Sequence, residues 1–129
     1  MNIEPITEIT EEILNAIQDI HNISKEELDY RDGDTFLIAK EQDLILGYSH
    51  ARLSASHILA LYVLDNHRKN NVGSSLLLNT IETLKNKGLN HIHLGVEPTN
   101  KDVIPFYEKY GFNITSVGKI GFTTLTYNA

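Results

Sequence analysis

A seven-residue apolar run over residues 58–64 constrains the fold of this chain more than any other segment. It is far shorter than the roughly 20 residues that a membrane-spanning helix requires, but it suits a strand covered by helices on both faces. A polar loop and an amphipathic helix follow it, and His91–Val96 then alternates apolar and polar residues. This order predicts a right-handed βαβ unit over residues 57–96, with two parallel strands and the strand over 57–64 at the centre of the sheet.

Shorter segments with strand or helix periodicity complete the predicted architecture. Residues 2–6 suit a first strand, and isoleucines at helical spacing predict an amphipathic first helix that begins after Thr7 or Thr10. Ser24 and Glu27 fit a capping box for a short second helix. We also predict a hairpin over 35–40 and 44–53, a helix over 101–110 that Gly111 ends, and final strands over 112–117 and 122–127.

The sequence predicts one α/β (α+β) domain over residues 1–129, because no linker, internal repeat or low-complexity tract divides it. With 129 residues, 41% of them hydrophobic, such a domain can bury a core without disulfides. The chain contains no cysteine, which excludes a thiol nucleophile supplied by the protein. Its first residues are acidic and lack a long apolar stretch, so we expect no secretory signal and a cytoplasmic location.

Charge is distributed unevenly along the chain. The formal net charge of −6 argues against a general nucleic-acid-binding protein, which needs a basic surface for phosphates. Residues 1–43 hold 12 of the 17 acidic residues and only three basic ones. An acidic surface of this kind would attract a cationic ligand, but an ordinary solvated helical surface would have the same composition.

The loop of the βαβ unit carries the main chemical signal. Arg68 and Lys69 lie shortly before Gly73 and Ser74, where a strand gives way to a helix. Unpaired N–H groups and the helix dipole favour a phosphate or pyrophosphate at such a turn, although an ordinary strand-to-helix turn would have the same features. A P-loop requires a lysine after Gly73, and a dinucleotide-binding fingerprint requires three glycines, so the loop argues against both.

Two motifs together resemble the GNAT superfamily of acyl-CoA N-acyltransferases. The first is the loop over residues 68–74, which the family writes R/Q-x-x-G-x-G/A, and the second is the segment NKDVIPFYEKYGF over 100–112. Asn71 replaces the first glycine of the loop, which is tolerable because asparagine visits the left-handed region, although its side chain implies weaker binding. In the second motif, only Val103 departs from the family's pattern, where it replaces alanine.

The resemblance implies a GNAT fold and acetyl-CoA (coenzyme A) as cofactor. The implied fold is a central mixed, mostly antiparallel sheet, flanked by about four helices, whose parallel pair splays apart at the cofactor site. Pantetheine would lie in that gap like an extra strand, Asn100 would bond it, and Tyr107 would protonate the departing thiolate. The implied cofactor-binding residues are Leu61, Tyr62, Val63, Arg68, Lys69, Asn70, Asn71, Val72, Gly73, Ser74, Asn100 and Tyr107.

The catalytic base that takes the proton of the amine stays open among three residues. His57 occupies the place of a strand glutamate in the histone-acetylating branch of the family, and histidine has a suitable intrinsic pKa. Glu97 lies two residues after Gly95, where the branch that acetylates ribosomal protein N-termini has its glutamate. Tyr62 is the third candidate. Plain structural roles are the stronger alternative for two of them: His57 as a strand-start residue in contact with solvent, and Glu97 as a helix cap.

The sequence therefore predicts an acetyl-CoA-dependent N-acetyltransferase that acts on a primary amine by direct attack in a ternary complex. We expect the acceptor to be a small molecule or a peptide end, and the acidic N-terminal third suggests a cationic one. The alternative is a non-catalytic acyl-CoA-binding regulatory module. His91 and His93 face the same way, but a zinc site needs a third ligand, so we expect no metal and exposed strand-edge histidines. We expect no nucleic-acid or membrane partner, and homodimer formation stays open.

Overall fold

The computed structural model describes residues 1–23, 25–64 and 71–129, without the side chains of residues 25 and 26. Seven strands and four α-helices lie in these ranges. In chain order they are β1 (Asn2–Pro5), α1 (Glu11–His21), α2 (Lys25–Leu28), β2 (Thr35–Glu41), β3 (Leu44–Arg52), β4 (His57–Val63), α3 (Val72–Asn86), β5 (His91–Val96), α4 (Ile104–Lys109), β6 (Phe112–Val117) and β7 (Thr123–Asn128).

All seven strands belong to one sheet, in the order β1-β2-β3-β4-β5-β7-β6. Neighbouring strands run antiparallel except β4 and β5, which are parallel and are connected through α3. The predicted mixed sheet, its parallel pair and the central position of β4 are therefore confirmed. None of the helices that the structure describes is long and apolar enough to span a membrane.

A bulge in β4 separates the two parallel strands. Ala51 of β3 pairs with Ile58 and His50 pairs with Ala60, so Leu59 is an extra residue in β4. Because a bulge bends its strand and increases the local twist, β4 turns away from β5 beyond this point. Among the described residues, one pair alone, His57 with His93, joins β4 to β5. The expected splay is thus present, and it opens toward the C-terminal ends of both strands.

Apolar clusters lie on both faces of the sheet. On one face, Ile17 of α1 is buried together with Phe36 and Tyr48 of the sheet. On the other face, α3 buries Leu76 and Leu77 against the strands. The prediction that helices cover both faces of β4 is wrong at Leu59, whose side chain is 42% exposed because the bulge turns it out of the regular alternation.

Some predicted boundaries and environments differ from the structure. Thr10 caps α1 by accepting the N–H of Ile13, whereas Ser24 lies outside the described residues. The helix predicted over 101–110 is wrong at its start, because Pro98–Val103 forms a 3-10 helix and α4 begins only at Ile104. Pro105 has no N–H to give to the carbonyl of Lys101, which takes the N–H of Ile104 in a tighter turn instead.

The expectation of exposed strand-edge histidines is wrong in part. Strand β5 is internal, between β4 and β7, because the last strand of the chain inserts between β5 and β6. His91 is exposed and its Nδ1 lies 2.6 Å from the side-chain oxygen of Asn128. His93 is half-buried, and its Nδ1 lies 2.9 Å from the hydroxyl of Thr126.

Candidate functional site

A cleft of about 380 Å³ occupies the gap between β4 and β5. The two splayed strands form its sides, and the start of α3 and the helical segment around α4 close it. Of the residues singled out in the sequence, those that line the cleft are Leu61, Tyr62, Val63, Gly73, Asn100 and Tyr107. The structure thus brings together residues from both motifs, which are separated by about 30 positions in the chain.

Strand β4 presents backbone hydrogen-bonding groups to this cleft. Leu64 donates its N–H to the carbonyl of Leu46, and Tyr62 pairs with Tyr48 in the same register. Because backbone groups in an antiparallel pair alternate between the two edges of a strand, Leu61 and Val63 turn theirs away from β3 and toward the gap. An extended ligand in the cleft could therefore pair with β4 as an additional strand does.

Helix α3 begins at the mouth of the cleft, and Asn71 is its N-cap. The backbone of Asn71 is left-handed, with φ of 62°, as expected for a residue that replaces the first glycine of the loop motif. Its carbonyl accepts the N–H of Ser75 and the hydroxyl of Ser74, and Val72 is buried behind it. Gly73 lines the cleft. The predicted ligands Arg68, Lys69 and Asn70 lie outside the described residues.

Tyr107 of α4 is a half-buried tyrosine held by aromatic neighbours. Its ring packs edge-on against Phe106 and Phe112, with centroids 5.3 and 5.7 Å away. Burial, reinforced by the neighbouring Tyr62, raises the pKa of Tyr107 to about 12. The hydroxyl therefore stays protonated at neutral pH and can donate a hydrogen bond or a proton to a group in the cleft.

The three base candidates lie at different places. Tyr62 lines the cleft, and its pKa is raised by burial and by the negative charge of Glu97, which is exposed and forms no side-chain cap. His57 is at the opposite end of β4, where it pairs with His93 and does not line the cleft. Burial, and to a lesser extent His93, lowers its pKa. Tyr62 and Glu97 are thus near one another, and His57 is apart from them.

A second cavity, of about 270 Å³, lies on the α1 face of the sheet. Leu59 and Ala60 of β4 line both cavities, so the two meet at the bulge. No sequence motif marks its polar lining, because His21, Tyr48 and His50 look isolated along the chain. The remaining lining residues are Ile23, Glu27, Leu28, Asp29 and Arg52.

His21 connects the second cavity to Tyr62. Its ring stacks on Tyr62 with centroids 3.4 Å apart and planes 20° from parallel. Its Nδ1 is 2.7 Å from the hydroxyl of Tyr48, whose pKa is raised far above its usual range by burial, so that the hydroxyl stays protonated. Burial lowers the pKa of His21, partly offset by Glu27, and the imidazole is neutral at pH 7.

Asp34 organises the far side of this cavity. One carboxylate oxygen is 2.7 Å from Nε2 of His50 and 3.0 Å from Nη2 of Arg52, and it also accepts the N–H of Arg31. The side chains of Asp34 and His50 are each only 2% exposed. Although desolvation opposes ionisation, the hydrogen bonds from Arg52, His50 and the Arg31 backbone lower the pKa of Asp34 to about 2.

Comparison with known proteins gives consistent matches. The family model described as "Acetyltransferase (GNAT) family" matches residues 4–112. N-alpha-acetyltransferase 60 of Drosophila melanogaster is 37% identical over 84 residues, which are 55% of this chain and 30% of the relative. An N-alpha-acetyltransferase of Sulfolobus acidocaldarius is 28% identical over 95 residues, which are 62% of this chain and 56% of the relative. The chain thus spans about a third and just over half of these two curated relatives.

Solved structures share the fold over the whole chain. A GNAT family acetyltransferase from Elizabethkingia anophelis, whose structure has acetyl-CoA bound, superposes with a TM-score of 0.82 at 21% identity. The superposition covers 99% of this chain and 97% of the other. At this identity the likeness concerns the fold alone.

Proposed function

Because the chain belongs to the acetyltransferase (GNAT) family, we propose that it transfers the acetyl group of acetyl-CoA to a primary amine. The observation that supports this most is the cleft between β4 and β5, where β4 backbone groups, the start of α3 and Tyr107 converge. The chain contains no cysteine that could carry the acetyl group, and we propose that the amine attacks the thioester directly, in a ternary complex.

In the proposed reaction, pantetheine lies between the two strands and pairs with the backbone of Leu61 and Val63. Asn100, exposed at the cleft wall, bonds the pantetheine arm, and residues 68–74 hold the pyrophosphate at the start of α3. Tyr107 gives its proton to the sulfur as the C–S bond breaks. This role suits a hydroxyl that is protonated at neutral pH and lies within the cleft.

We propose the α-amine of a peptide or protein as the acceptor. Both curated relatives are named N-alpha-acetyltransferases. The second cavity supports the proposal, because it reaches the cleft at Leu59 and Ala60 from the opposite face of the sheet. An amine that enters from the α1 side would meet the thioester without crossing the cofactor. The base candidates from the sequence, His57, Glu97 and Tyr62, remain proposals.

Cofactor binding is the first test. Acetyl-CoA at about 100 times its Kd should add about 2.7 kcal/mol to the free energy of unfolding, which is on the order of 10 °C in Tm for a domain of this size. Desulfo-coenzyme A should give a similar shift, because it keeps the pyrophosphate and most of pantetheine, and adenosine alone should give much less. A chain that shows no shift with acetyl-CoA would contradict the proposal.

Acetyl transfer is the second test. The protein is incubated with acetyl-CoA and a panel of lysine-free peptides that differ in their first residue, and the products are identified by mass spectrometry. We expect a gain of one acetyl group on the α-amine, and no product with N-blocked peptides. Binding of acetyl-CoA without transfer to any peptide or small amine would instead favour the non-catalytic acyl-CoA-binding module.

A further inference from the structure

His50 and Asp34 form a buried dyad that fixes one tautomer of the imidazole. The Asp34 carboxylate is ionised at neutral pH and lies 2.7 Å from Nε2 of His50, so Nε2 carries the hydrogen and donates it. Neutral His50 then has a lone pair on Nδ1. Tyr30 and Phe36 hold the ring, with centroids 5.7 and 5.8 Å away, so the ring cannot turn freely.

His50 is among the residues that line the second cavity, and its Nδ1 is the ring nitrogen that Asp34 leaves unused. It has no hydrogen-bond partner among the residues that the structure describes, and none of their buried side-chain nitrogen or oxygen atoms lacks a partner. Nδ1 is therefore not sealed in the core, and His50 lines the cavity. On the neighbouring strand His50 pairs with Ala60, one residue from the bulge at which the second cavity meets the cleft.

Carboxylates beside this cavity could accept an ammonium group. Asp29 and Glu27 line the cavity and Asp34 is bonded to His50, whereas Arg52 supplies the guanidinium in the lining, as far as the described residues show. Arg52 is itself engaged by carboxylates, at 3.0 Å from Asp34 and 3.6 Å from Asp29. Asp29 is in turn engaged by Arg31, at 2.8 Å, so these charges are largely paired, and what they offer an ammonium group is carboxylate oxygens that can accept its N–H groups.

We propose that the second cavity receives the acceptor amine and that Nδ1 of His50 takes its proton. This inference rests on the proposed function, since it names the residue that prepares the amine for attack. It assigns to His50 the role of base for which the sequence offered His57, Glu97 and Tyr62, and those three are the alternatives. His50 contacts the amine and is a catalytic residue, whereas Asp34 acts through His50 and is a positioning residue. The arrangement follows the logic by which a carboxylate orients a histidine base in other enzymes.

The proton balance of the step is complete. The ammonium group gives one proton to Nδ1 of His50, and the free amine forms a C–N bond to the thioester carbonyl carbon. The tetrahedral intermediate collapses with cleavage of the C–S bond, and the thiolate takes a proton from Tyr107. The second amine proton restores the Tyr107 hydroxyl through solvent, and His50 releases its proton to solvent through the cavity.

Kinetics of matched histidine variants test the role of His50. His50→Gln keeps an N–H that can bond Asp34 but removes the basic nitrogen. We expect kcat/KM for the peptide to fall at least about 100-fold, with the Kd of acetyl-CoA changed less than about threefold. His91→Gln removes an exposed histidine of β5 that does not line the cavity, and it should stay within about twofold. Equal activity of the two variants would overturn the proposal.

The pH profile separates catalysis from a structural effect. Asp34, Arg52 and Asp29 act electrostatically on His50, the ring of Tyr30 stacks on it, and His21, Tyr48 and Glu27 line the same cavity. Burial lowers the pKa of His50 despite the opposing effect of Asp34. The wild-type kcat/KM should therefore rise with pH and level off below pH 7. This inflection should be absent from His50→Gln and altered in Asp34→Asn, and an unchanged inflection in both would count against the dyad.

Nuclear magnetic resonance of the wild type tests the inference without turnover. In ¹⁵N-labelled protein, His50 should show a protonated Nε2 and a bare Nδ1. With coenzyme A present, a peptide with a free α-amine should move the Nδ1 signal, and the N-acetylated peptide should not. If no peptide is acetylated but this selective shift occurs, the proposed function fails and the amine pocket stands. If both peptides shift Nδ1 equally, or neither does, the pocket assignment is wrong.

Discussion

Asn71 adopts the left-handed backbone conformation that this position requires, but its side chain would lie beside the proposed ligand. Its φ of 62° suits glycine best, and asparagine tolerates it better than most residues. We expect Asn71→Gly to tighten acetyl-CoA binding about fivefold, because it removes a side chain beside the proposed pyrophosphate site, an effect of about 1 kcal/mol. Asn22→Gly is the matched control, since Asn22 is also left-handed, at φ of 54°, but ends α1. Calorimetric titration of both variants would decide, and equal affinities would contradict the expectation.

Tyr107 is the second residue whose role can be isolated. Tyr107→Phe removes only the hydroxyl, so we expect kcat to fall about 100-fold while the Kd of acetyl-CoA stays within about threefold. Tyr110→Phe is the control, because Tyr110 also packs against Phe106, at 5.4 Å, but does not line the cleft. Comparable kcat values for the two variants would show that Tyr107 is only a packing residue.

At the level of single residues, the sequence identified those that lie in recognisable motifs. It missed those whose role depends on contacts between distant parts of the chain. Gly73, Asn100 and Tyr107 were predicted together, because local patterns mark them, and they line one cleft. His21 and His50 carry no pattern of their own. They acquire a setting only through Tyr62, 41 positions from His21, and through Asp34, 16 positions from His50. Contacts of this kind depend on strand register, which periodicity does not supply.

Among the elements, β3 and β4 are packed so closely at Gly47 that an added methyl group would collide with the backbone of β4. A Cβ added to Gly47 would lie 2.7 Å from the backbone oxygen of Tyr62 and 3.3 Å from Cα of Val63. We expect Gly47→Ala to lower the free energy of unfolding by about 2 kcal/mol, because backbone cannot move aside as a side chain can. It should also weaken acetyl-CoA binding, since it displaces the strand that lines the cleft.

Gly95→Ala is the informative comparison for that prediction. A Cβ at this position would overlap the ring of Phe122, but the ring is the far end of a side chain that is 42% exposed. The ring can swing outward, so we expect a loss below about 1 kcal/mol. Urea unfolding of both variants measures the difference. A larger loss at Gly95 than at Gly47 would show that the contact with Phe122 is rigid.

Element order was predictable, whereas the bulge and the strand insertion were not. Apolar periodicity and glycine stops were enough to place β2 to β5 and α3 in sequence. The exposure of Leu59 follows from pairing with β3, where one residue of β4 has no counterpart. The insertion of β7 between β5 and β6 follows from long-range pairing. The alternating pattern in β7 predicts a strand but does not specify which strands it pairs with.

For the whole molecule, buried histidines predict a loss of stability on mild acidification. Burial is the largest cause that lowers the pKa of His21, His50 and His57. The unfolded chain therefore binds protons on these groups more readily than the folded chain does. Their contribution to the free energy of unfolding is fully present above the unfolded pKa near 6.5, and it is lost as the pH falls through the lower pKa values of the folded state. We expect Tm to fall between pH 7.5 and pH 5.5.

Substitution separates this effect from the general change in net charge. His57→Gln keeps the charge of the neutral wild type, so the two proteins differ only where His57 titrates. We expect the variant to lose less Tm between pH 7.5 and pH 5.5 than the wild type does, as measured by scanning calorimetry. An identical decrease in both proteins would mean that His57 titrates alike in the folded and unfolded chains.

In the part of the chain that the structure describes, only His57 and His93 pair β4 with β5, and this has a consequence for how the chain folds. The sheet is in effect two half-sheets: β1 to β4, whose strands are neighbours in sequence, and β5, β7 and β6, which need the end of the chain. During synthesis the first half can pair before the second exists, and the two then meet along a seam with almost no pairing of its own. The cleft lies along this boundary, so the binding site is the gap that stays between the two half-sheets after both have formed.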